Sequence, residues 1–376
     1  MIGNSYIEKL NHTLKSNSDY SPFCFIDKTF VPWNTLLMTS SERISWIDVA
    51  RGIGILSVLY AHGLDGNSIR YFFYAFHIPL FFFLSGIVFH HRNHENVMVT
   101  IKKALKGILI PYFMFALLSY SVWLLFADPS RLSMAMVAHH FVGILYGNGS
   151  TSALFFNVVL WFLPCLFGTR LIFSFLTDIT NKKRFLLSAL FIFSLLGYGI
   201  SIYFPDLALP FGFETVLTGT VFFGAGYLFN RYSHHHRVIL QKYSLLIFVI
   251  SLLVCILLAT FHYGQMGEQI DMRLNRLGNY GLFYLTAFAG ILSFVALSIF
   301  IQKNRVLEHL GKNSMYLFVW HLIVFSLISK VLMLIIAPET ISQLRNFYLA
   351  PAYSLVSIFI ILSATKLYKK VSQSVR

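Results

Sequence analysis

The 376-residue sequence is 57% hydrophobic and only 12% charged, with a mean hydropathy of +0.68. Soluble domains carry about 25% charged residues, so this composition excludes an ordinary soluble fold and predicts an integral membrane protein with a single membrane domain. The formal net charge of +14 does not indicate nucleic-acid binding, because the basic residues are spread over many short loops.

Ten apolar segments follow one another, each about long enough to cross a bilayer as a helix. The predicted spans are Ile44–Gly63, Arg70–Phe89, Ala104–Phe126, Leu154–Leu176, Phe185–Phe204, Phe213–Phe229, Tyr243–Phe261, Tyr280–Ile301, Ser314–Ala337 and Phe347–Leu367. A short surface helix is expected at Leu132–Tyr146, in the longest interior loop. The sequence therefore predicts an all-α polytopic membrane bundle of about ten helices at residues 43–367, with an extension at 1–42 and a tail at 368–376.

The basic residues predict the orientation of this bundle. With ten spans, both termini share one side of the membrane, and 21 of the 29 Lys and Arg residues fall on that side. Five lie in loops on the other side, and the remaining three lie within spans. The positive-inside rule then places both termini in the cytoplasm. Residues 1–42 lack the long apolar core of a signal peptide, so we expect them to stay there as a cytoplasmic extension.

The first span carries three polar residues that need an explanation, Asp48, Arg51 and His62. In an α-helix, Arg51 and His62 differ by about 20° around the axis and about 16 Å along it, and Asp48 lies about 60° from Arg51. All three therefore share one face, which we expect to line the bundle interior or a water-filled cavity. The three cysteines are far apart and have no metal-ligand spacing, so neither a disulfide nor a metal site is expected.

Several motifs in fixed order resemble one family of membrane enzymes. Arg51 and His62 form an Arg-x10-His pattern, and FHIPLFFFLSG follows at Phe76–Gly86. Further matches are IPYF at 110–113, LWFLPCLF at 160–167 and SMYLFVWHL at 314–322. Together they resemble the membrane-bound acyltransferase 3 family, and most closely its fucose 4-O-acetylase-like sugar O-acetyltransferases.

The resemblance implies an O-acetyltransferase of a bacterial-type inner membrane. It would transfer an acetyl group from cytosolic acetyl-CoA, a donor substrate rather than a permanently bound cofactor, to a sugar hydroxyl. The expected acceptor is a cell-envelope polysaccharide or its lipid-linked precursor. The sequence leaves open which sugar is modified and whether succinyl or another acyl group replaces acetyl.

The residue chemistry agrees with this interpretation. A neutral imidazole at His62 can remove the proton of a sugar hydroxyl, or it can carry the acetyl group covalently, and the sequence does not separate these roles. Arg51 can hold phosphate or stabilise negative charge, although it can equally form a salt bridge with Asp48, which would then orient it. Lys103 and Lys106 either attract the phosphates of coenzyme A or simply anchor the helix at the cytoplasmic surface.

Five further residues are candidates for substrate binding, and each also has a purely structural interpretation. His77 and Ser85 belong to the second-span motif and can serve instead as internal hydrogen-bonding groups. Trp161 can stack on a sugar or pack in the bundle, and Glu214 and His321 can bind acceptor hydroxyls or pair within the protein.

Two other function classes share these features. Intramembrane Asp, Arg, Glu and His residues also line proton and anion pathways, so a membrane transporter of an acyl group or glycan precursor is the main alternative. A non-catalytic membrane scaffold is the third. An enzyme consumes acyl-CoA and labels a glycan, whereas a transporter moves its substrate unchanged.

Overall fold

The computed structural model describes residues 25–26, 29–30, 45–64, 66, 68–90, 97–128, 130, 132–180, 182–232, 234–337, 340–341, 344 and 348–374. The predicted extension at residues 1–42 lies outside the described residues except for two strands, β1 (Phe25–Ile26) and β2 (Thr29–Phe30), which pair in antiparallel fashion. Everything after them that has regular structure is helical or an isolated bridge.

Fifteen α-helices make up the described part of the chain. They are α1 (Ser45–Gly63), α2 (Ser68–Tyr74), α3 (His77–Ile87), α4 (Val97–Ala104), α5 (Ile110–Phe126), α6 (Met134–Tyr146), α7 (Phe162–Ile179), α8 (Lys183–Tyr203), α9 (Phe213–Tyr232), α10 (His234–Lys242), α11 (Ser244–Met266), α12 (Tyr280–Ile301), α13 (Arg305–Lys312), α14 (Ser314–Leu332) and α15 (Ala350–Ser374). A π-helical segment, Leu105–Leu109, joins α4 to α5, and a 3₁₀ segment, Ser152–Trp161, leads into α7.

Eight helical segments in the described part of the chain are long and apolar enough to cross a membrane. They are Ser68–Ile87, Met98–Phe126, Ser152–Ile179, Lys183–Tyr203, Ser244–Met266, Tyr280–Ile301, Ser314–Leu332 and Ala350–Val371. The predicted all-α polytopic bundle is thereby confirmed. The other two predicted spans are helices α1 and α9, which have 19 and 20 residues but are less apolar because charged, glycine and threonine residues interrupt them.

The second predicted span is divided into α2 and α3. The helix is interrupted at Ala75 and Phe76, just before α3 begins at His77. Pro79 explains the position of this break, because its ring clashes with the carbonyl four residues earlier, that of Ala75. The break matters for the site, since it turns the His77 side chain back onto the last turn of α2.

Glycines bring pairs of helices into direct backbone contact. A Cβ atom added at Gly52 would collide with the Leu307 carbonyl, and one added at Gly311 would collide with the Asp48 carbonyl, so α1 and α13 touch along their backbones. Gly86 makes the same kind of contact with Phe223, which joins α3 to α9. Small residues at helix interfaces are the usual means of close packing in membranes.

The predicted surface helix is confirmed as α6. The Ser133 hydroxyl accepts a hydrogen bond from the Met136 amide at its start, and Gly147 ends it in a left-handed conformation, with φ of 66°. The Tyr112 hydroxyl of α5 donates to the Ile144 carbonyl at 2.8 Å, which ties this helix to the bundle.

Candidate active site

Three imidazole rings meet at one end of α1. His62 lies in the last turn of α1, His77 begins α3, and His321 lies in the middle of α14. The ring centroid of His62 is 5.1 Å from that of His321 and 6.3 Å from that of His77. His77 and His321 are buried, whereas His62 is half-buried. Three residues predicted from separate motifs thus form one cluster.

The main chain fixes the proton positions of two of these rings. The Nδ1 atom of His77 donates to the Phe73 carbonyl at 2.6 Å, and that of His321 donates to the Phe318 carbonyl at 2.7 Å. A neutral imidazole that donates from Nδ1 presents Nε2 as an acceptor. The Nε2 atom of His321 is buried and has no hydrogen-bond partner among the described residues. It is therefore a free hydrogen-bond acceptor in the ring next to His62.

The Nδ1 atom of His62 is bonded to a side chain instead. It lies 3.3 Å from the hydroxyl oxygen of Tyr74, which in turn accepts a hydrogen bond of 3.3 Å from Nη2 of Arg70. The Nη1 atom of the same guanidinium donates to the Leu64 carbonyl at 3.1 Å. Arg70 therefore connects Tyr74 to the residue that follows α1.

An apolar groove lies beside α1. One of its lining residues is Arg51, which lies about 16 Å from His62 along the axis of α1, towards the start of that helix. The groove has a cavity volume of about 120 Å³. It is lined by Arg51, Ile78, Phe81, Leu84, Ser85, Gly107, Pro111, Met114, Phe115, Phe162, Leu163, Leu166, Gly311, Lys312, Ser314, Met315, Tyr316 and Phe318. Arg51 and Lys312 supply positive charge at this end, which we call the Arg51 end of the bundle.

The groove extends towards the histidines. Ile78 and Phe318 both line the groove: Ile78 follows His77 directly in α3, and the carbonyl of Phe318 accepts the hydrogen bond from Nδ1 of His321. Seven residues separate Ile78 from Ser85, which corresponds to about 10 Å along α3. The groove walls therefore run along α3 and α14 from the charged residues of the Arg51 end to the residues that hold the imidazole cluster.

A second cavity lies at the other end of α1, which we call the His62 end. Its volume is about 340 Å³, and it is polar and open to the outside. It is lined by Gly66, Arg70, Tyr71, Gly267, Glu268, Gln269, Asp271, Leu274 and Arg276. Arg70 is the link between this cavity and the imidazole cluster, since it also contacts Tyr74.

The geometry thus places a cluster of imidazoles between an apolar groove and a polar cavity, inside a membrane bundle. A family model described as an acyltransferase domain, acyltransferase 3, matches residues 44–366. The chain belongs to the acyltransferase 3 family. It is therefore a multi-pass membrane acyltransferase, and the matched region contains every residue of the cluster and of both cavities. Neither the curated proteins nor the solved structures compared with the chain gave a match.

The other predicted catalytic residues of this acyltransferase lie at the Arg51 end. Asp48 is buried, and its carboxylate oxygen is 3.8 Å from Nη1 of Arg51, so the salt bridge that the sequence allowed is present, although it is long. Arg51 also lines the groove together with Ser85. Arg51 therefore pairs with Asp48 and lines the groove at the same time.

Lys103 and Lys106 lie in the segment that leads into α5. Lys103 is half-buried and Lys106 is exposed. Gly107 of the π-helical segment and Pro111 at the start of α5 line the groove, whereas neither of these described lysines lines it. The two lysines therefore stand near the groove rather than within it.

Two other predicted residues of the acyltransferase lie where helical segments meet their connections, Glu214 in the first turn of α9 and Trp161 at the end of the 3₁₀ segment. The carboxylate of Glu214 accepts hydrogen bonds from the Asn148 side chain at 2.8 Å and from the Leu209 amide at 3.0 Å. Trp161 is buried against Gly149, whose carbonyl accepts a bond from Arg273. Both side chains are engaged in holding these segments together, and among the described residues no hydrogen bond, ion pair or ring contact joins either of them to an imidazole of the cluster.

Arg70 and Tyr74 are candidate site residues that the sequence analysis did not identify. In the sequence, Arg70 is one of the five basic residues that the charge distribution places on the other side of the membrane, and Tyr74 is one of several aromatic residues in the second predicted span. A signal was nevertheless present, because side chains at positions i and i+4 share one face of a helix. Because the connection between α1 and α2 is short, the face of α2 that carries Arg70 and Tyr74 lies against the end of α1.

No metal centre is formed by the cluster. Among the residues that the structure describes, no three His, Cys, Asp or Glu side chains are placed to hold a metal ion. Cys165 and Cys255 are buried as free thiols, and Cys24 lies outside the described residues.

Proposed function

We propose that this acyltransferase transfers an acetyl group from acetyl-CoA to a sugar hydroxyl of a cell-envelope polysaccharide or its lipid-linked precursor. The observation that carries the proposal is that residues next to the imidazole cluster line two different cavities, Ile78 and Phe318 the apolar groove and Arg70 the polar cavity. We expect two substrates of different character to reach His62 from these two sides.

The donor enters at the Arg51 end. The positive-inside rule assigns this end to the cytoplasm, where acetyl-CoA is available. The guanidinium of Arg51, positioned by Asp48, binds a phosphate of the coenzyme, and Lys103 and Lys106 raise the local concentration of the polyanion. The apolar walls of the groove then suit the extended pantetheine arm, which carries the thioester towards His77 and His321.

The acceptor hydroxyl reaches the cluster from the His62 end. The cavity there offers Arg70, Glu268 and Asp271, whose donors and acceptors suit a carbohydrate. We expect a neighbouring hydroxyl of the same sugar, not the reacting one, to donate to the unpartnered Nε2 of His321, because a buried acceptor without a donor is costly. His77 and Ser85 line the path of the acyl group rather than that of the sugar.

His62 performs the proton transfer. Its imidazole takes the proton of the sugar hydroxyl as the hydroxyl oxygen attacks the thioester carbonyl carbon. The carbon–sulfur bond then breaks, the proton passes to the leaving thiolate, and the products are an O-acetyl ester and free coenzyme A. In the covalent variant, the imidazole attacks the thioester carbonyl carbon first and the coenzyme A thiolate leaves. The sugar hydroxyl then attacks the acetyl-imidazole, the carbon–nitrogen bond breaks, and the hydroxyl proton passes to the thiolate.

Two labels on the donor test the proposal and separate it from transport. Membranes that contain the chain and an acceptor glycan are supplied with acetyl-CoA labelled either in the acetyl group or in the adenine ring. We expect only the acetyl label to enter the glycan, in a form that mild base releases as an ester does. Absence of acetyl label in the glycan, with the acceptor present, would contradict the proposal. If label entered the glycan only from another labelled acyl-CoA, the chain would still be an acyltransferase, but its acyl group would not be acetyl.

A further inference from the structure

The three imidazoles of the cluster differ in the hydrogen-bond partner of their Nδ1 atoms. Backbone carbonyls hold His77 and His321, so no side-chain substitution can remove their partners. The partner of His62 is the Tyr74 hydroxyl, 3.3 Å away. The proton position of the most accessible ring in the cluster is thus set by a side chain.

Tyr74 is itself fixed in place. The guanidinium of Arg70 lies over its ring, with Cζ 5.0 Å from the ring centroid, and Nη2 donates to its oxygen. Because a guanidinium has no acceptor, the direction of this bond is unambiguous. The second bond, from Nη1 to the Leu64 carbonyl, ties the pair to the chain that leaves α1. The contacts with Arg70 therefore hold the Tyr74 oxygen in position next to Nδ1 of His62.

The proton on His62 can occupy either nitrogen. If Nε2 carries it, Nδ1 accepts the hydrogen bond of the Tyr74 hydroxyl; if Nδ1 carries it, Nδ1 donates to the Tyr74 oxygen and the lone pair of Nε2 is available. Both arrangements use the same 3.3 Å contact, so the Tyr74 hydroxyl is the group that can hold His62 in one tautomer. Proton abstraction at Nε2 requires the second arrangement.

We propose that Tyr74, held by Arg70, is a positioning residue that fixes the orientation and the tautomer of the His62 ring. The inference rests on the proposed function for its kinetic consequence, because proton abstraction requires the Nδ1–H tautomer, in which Nε2 is the reactive atom. When Nε2 takes the proton of the sugar hydroxyl, the ring carries two N–H groups, and the Nδ1–H bond to the Tyr74 oxygen stabilises that charged form. Oriented imidazoles in enzymes commonly depend on such a partner.

The first readout does not require activity. Nitrogen NMR of the full chain in lipid nanodiscs, with ¹⁵N-labelled histidine, reports which ring nitrogen carries the proton, and the signals of His62 are assigned by their absence in His62→Gln. We expect one tautomer in the wild type and a mixture of both in Tyr74→Phe. Identical His62 signals in the two proteins would overturn the inference, whatever the activity of the wild type.

The second readout is kinetic. We expect Tyr74→Phe to lower kcat for acetyl transfer by about 10- to 100-fold, because a hydrogen bond to a charged group is lost, while KM for acetyl-CoA stays close to that of the wild type. Tyr60→Phe is the matched control, since Tyr60 lies two residues before His62 and packs on Phe73. Equal losses of kcat in both variants would contradict a specific role for Tyr74. A wild type without acetyl transfer would instead refute the proposed function, and the NMR result would still decide the tautomer.

Discussion

The inner and outer helices of this bundle differ in hydropathy and in burial. Helices α8 and α11 meet every expectation for a membrane span, yet only 22% of the most apolar window of each is buried inside the protein. Helix α1 is less apolar and carries Asp48, Arg51 and His62, and most of its residues are buried. The helices that look most like membrane spans therefore face lipid, whereas the helix that carries the candidate chemistry is packed among other helices.

This difference has a physical reason. A helix exposed to lipid cannot carry unpaired polar groups, because nothing in the bilayer core can bond to them. A helix surrounded by protein can, provided that neighbours supply hydrogen-bond partners and small residues allow close packing. Helix α1 meets both conditions through Tyr74 and through Gly52. The following predictions compare matched changes at inner and outer positions.

The largest difference is expected between two leucines. Leu80 in α3 is fully buried, and Leu253 in α11 is 56% exposed. We expect Leu80→Ala to lower the free energy of unfolding by about 2–5 kcal/mol, because it leaves a cavity, and Leu253→Ala to change it by less than about 0.5 kcal/mol. Thermal unfolding in one detergent measures both. Equal losses would contradict the assignment of inner and outer faces.

Two glycines provide a comparison with a smaller expected effect. Gly86→Ala places a methyl group against the Phe223 carbonyl, so we expect a loss of about 1–3 kcal/mol as α3 and α9 move apart. An added Cβ at Gly199 in α8 meets nothing within 4 Å, so Gly199→Ala tests the same substitution in open space. We expect that variant to be as stable as the wild type or up to about 1 kcal/mol more stable. A stable Gly86→Ala protein would refute the backbone contact.

Arg51 tests the donor side of the site. We expect Arg51→Ala to raise KM for acetyl-CoA by about 10- to 100-fold, because a charge-assisted phosphate contact is lost, with a smaller effect on kcat. Arg305 provides the control, since it is exposed on α13 near the same end of the bundle. A rise in KM in both variants would indicate general attraction of the coenzyme by positive charge rather than a defined contact with Arg51.

Much of the bundle was predictable from the sequence, because apolar length alone defines a span. The eighth predicted span has the same bounds as α12, and the predicted surface helix corresponds to α6. The division of the second span was not predicted, because hydropathy does not register a local break. Pro79 favours a break in the helix, but the consequence for the His77 ring depends on the three-dimensional path of the chain.

The candidate site was predictable only in part. His62, His77 and His321 were found because motifs mark them, although nothing in their spacing along the chain required the rings to meet. The partners of Glu214 could not be predicted, because Asn148 lies 66 residues away and is brought close only by loop packing. Tyr74 was missed because a tyrosine within an apolar span carries no sequence signal that distinguishes an orienting hydroxyl from a packing ring.

The central claim is that His62 carries out the acyl transfer. The most direct measurement is acetyl transfer from labelled acetyl-CoA to the glycan by membranes with matched amounts of wild type, His62→Ala or His139→Ala, the last being an exposed histidine of α6. We predict that His62→Ala loses at least about 100-fold in rate while it inserts normally, and that His139→Ala retains the wild-type rate. Normal glycan acetylation by a well-inserted His62→Ala protein would contradict the account.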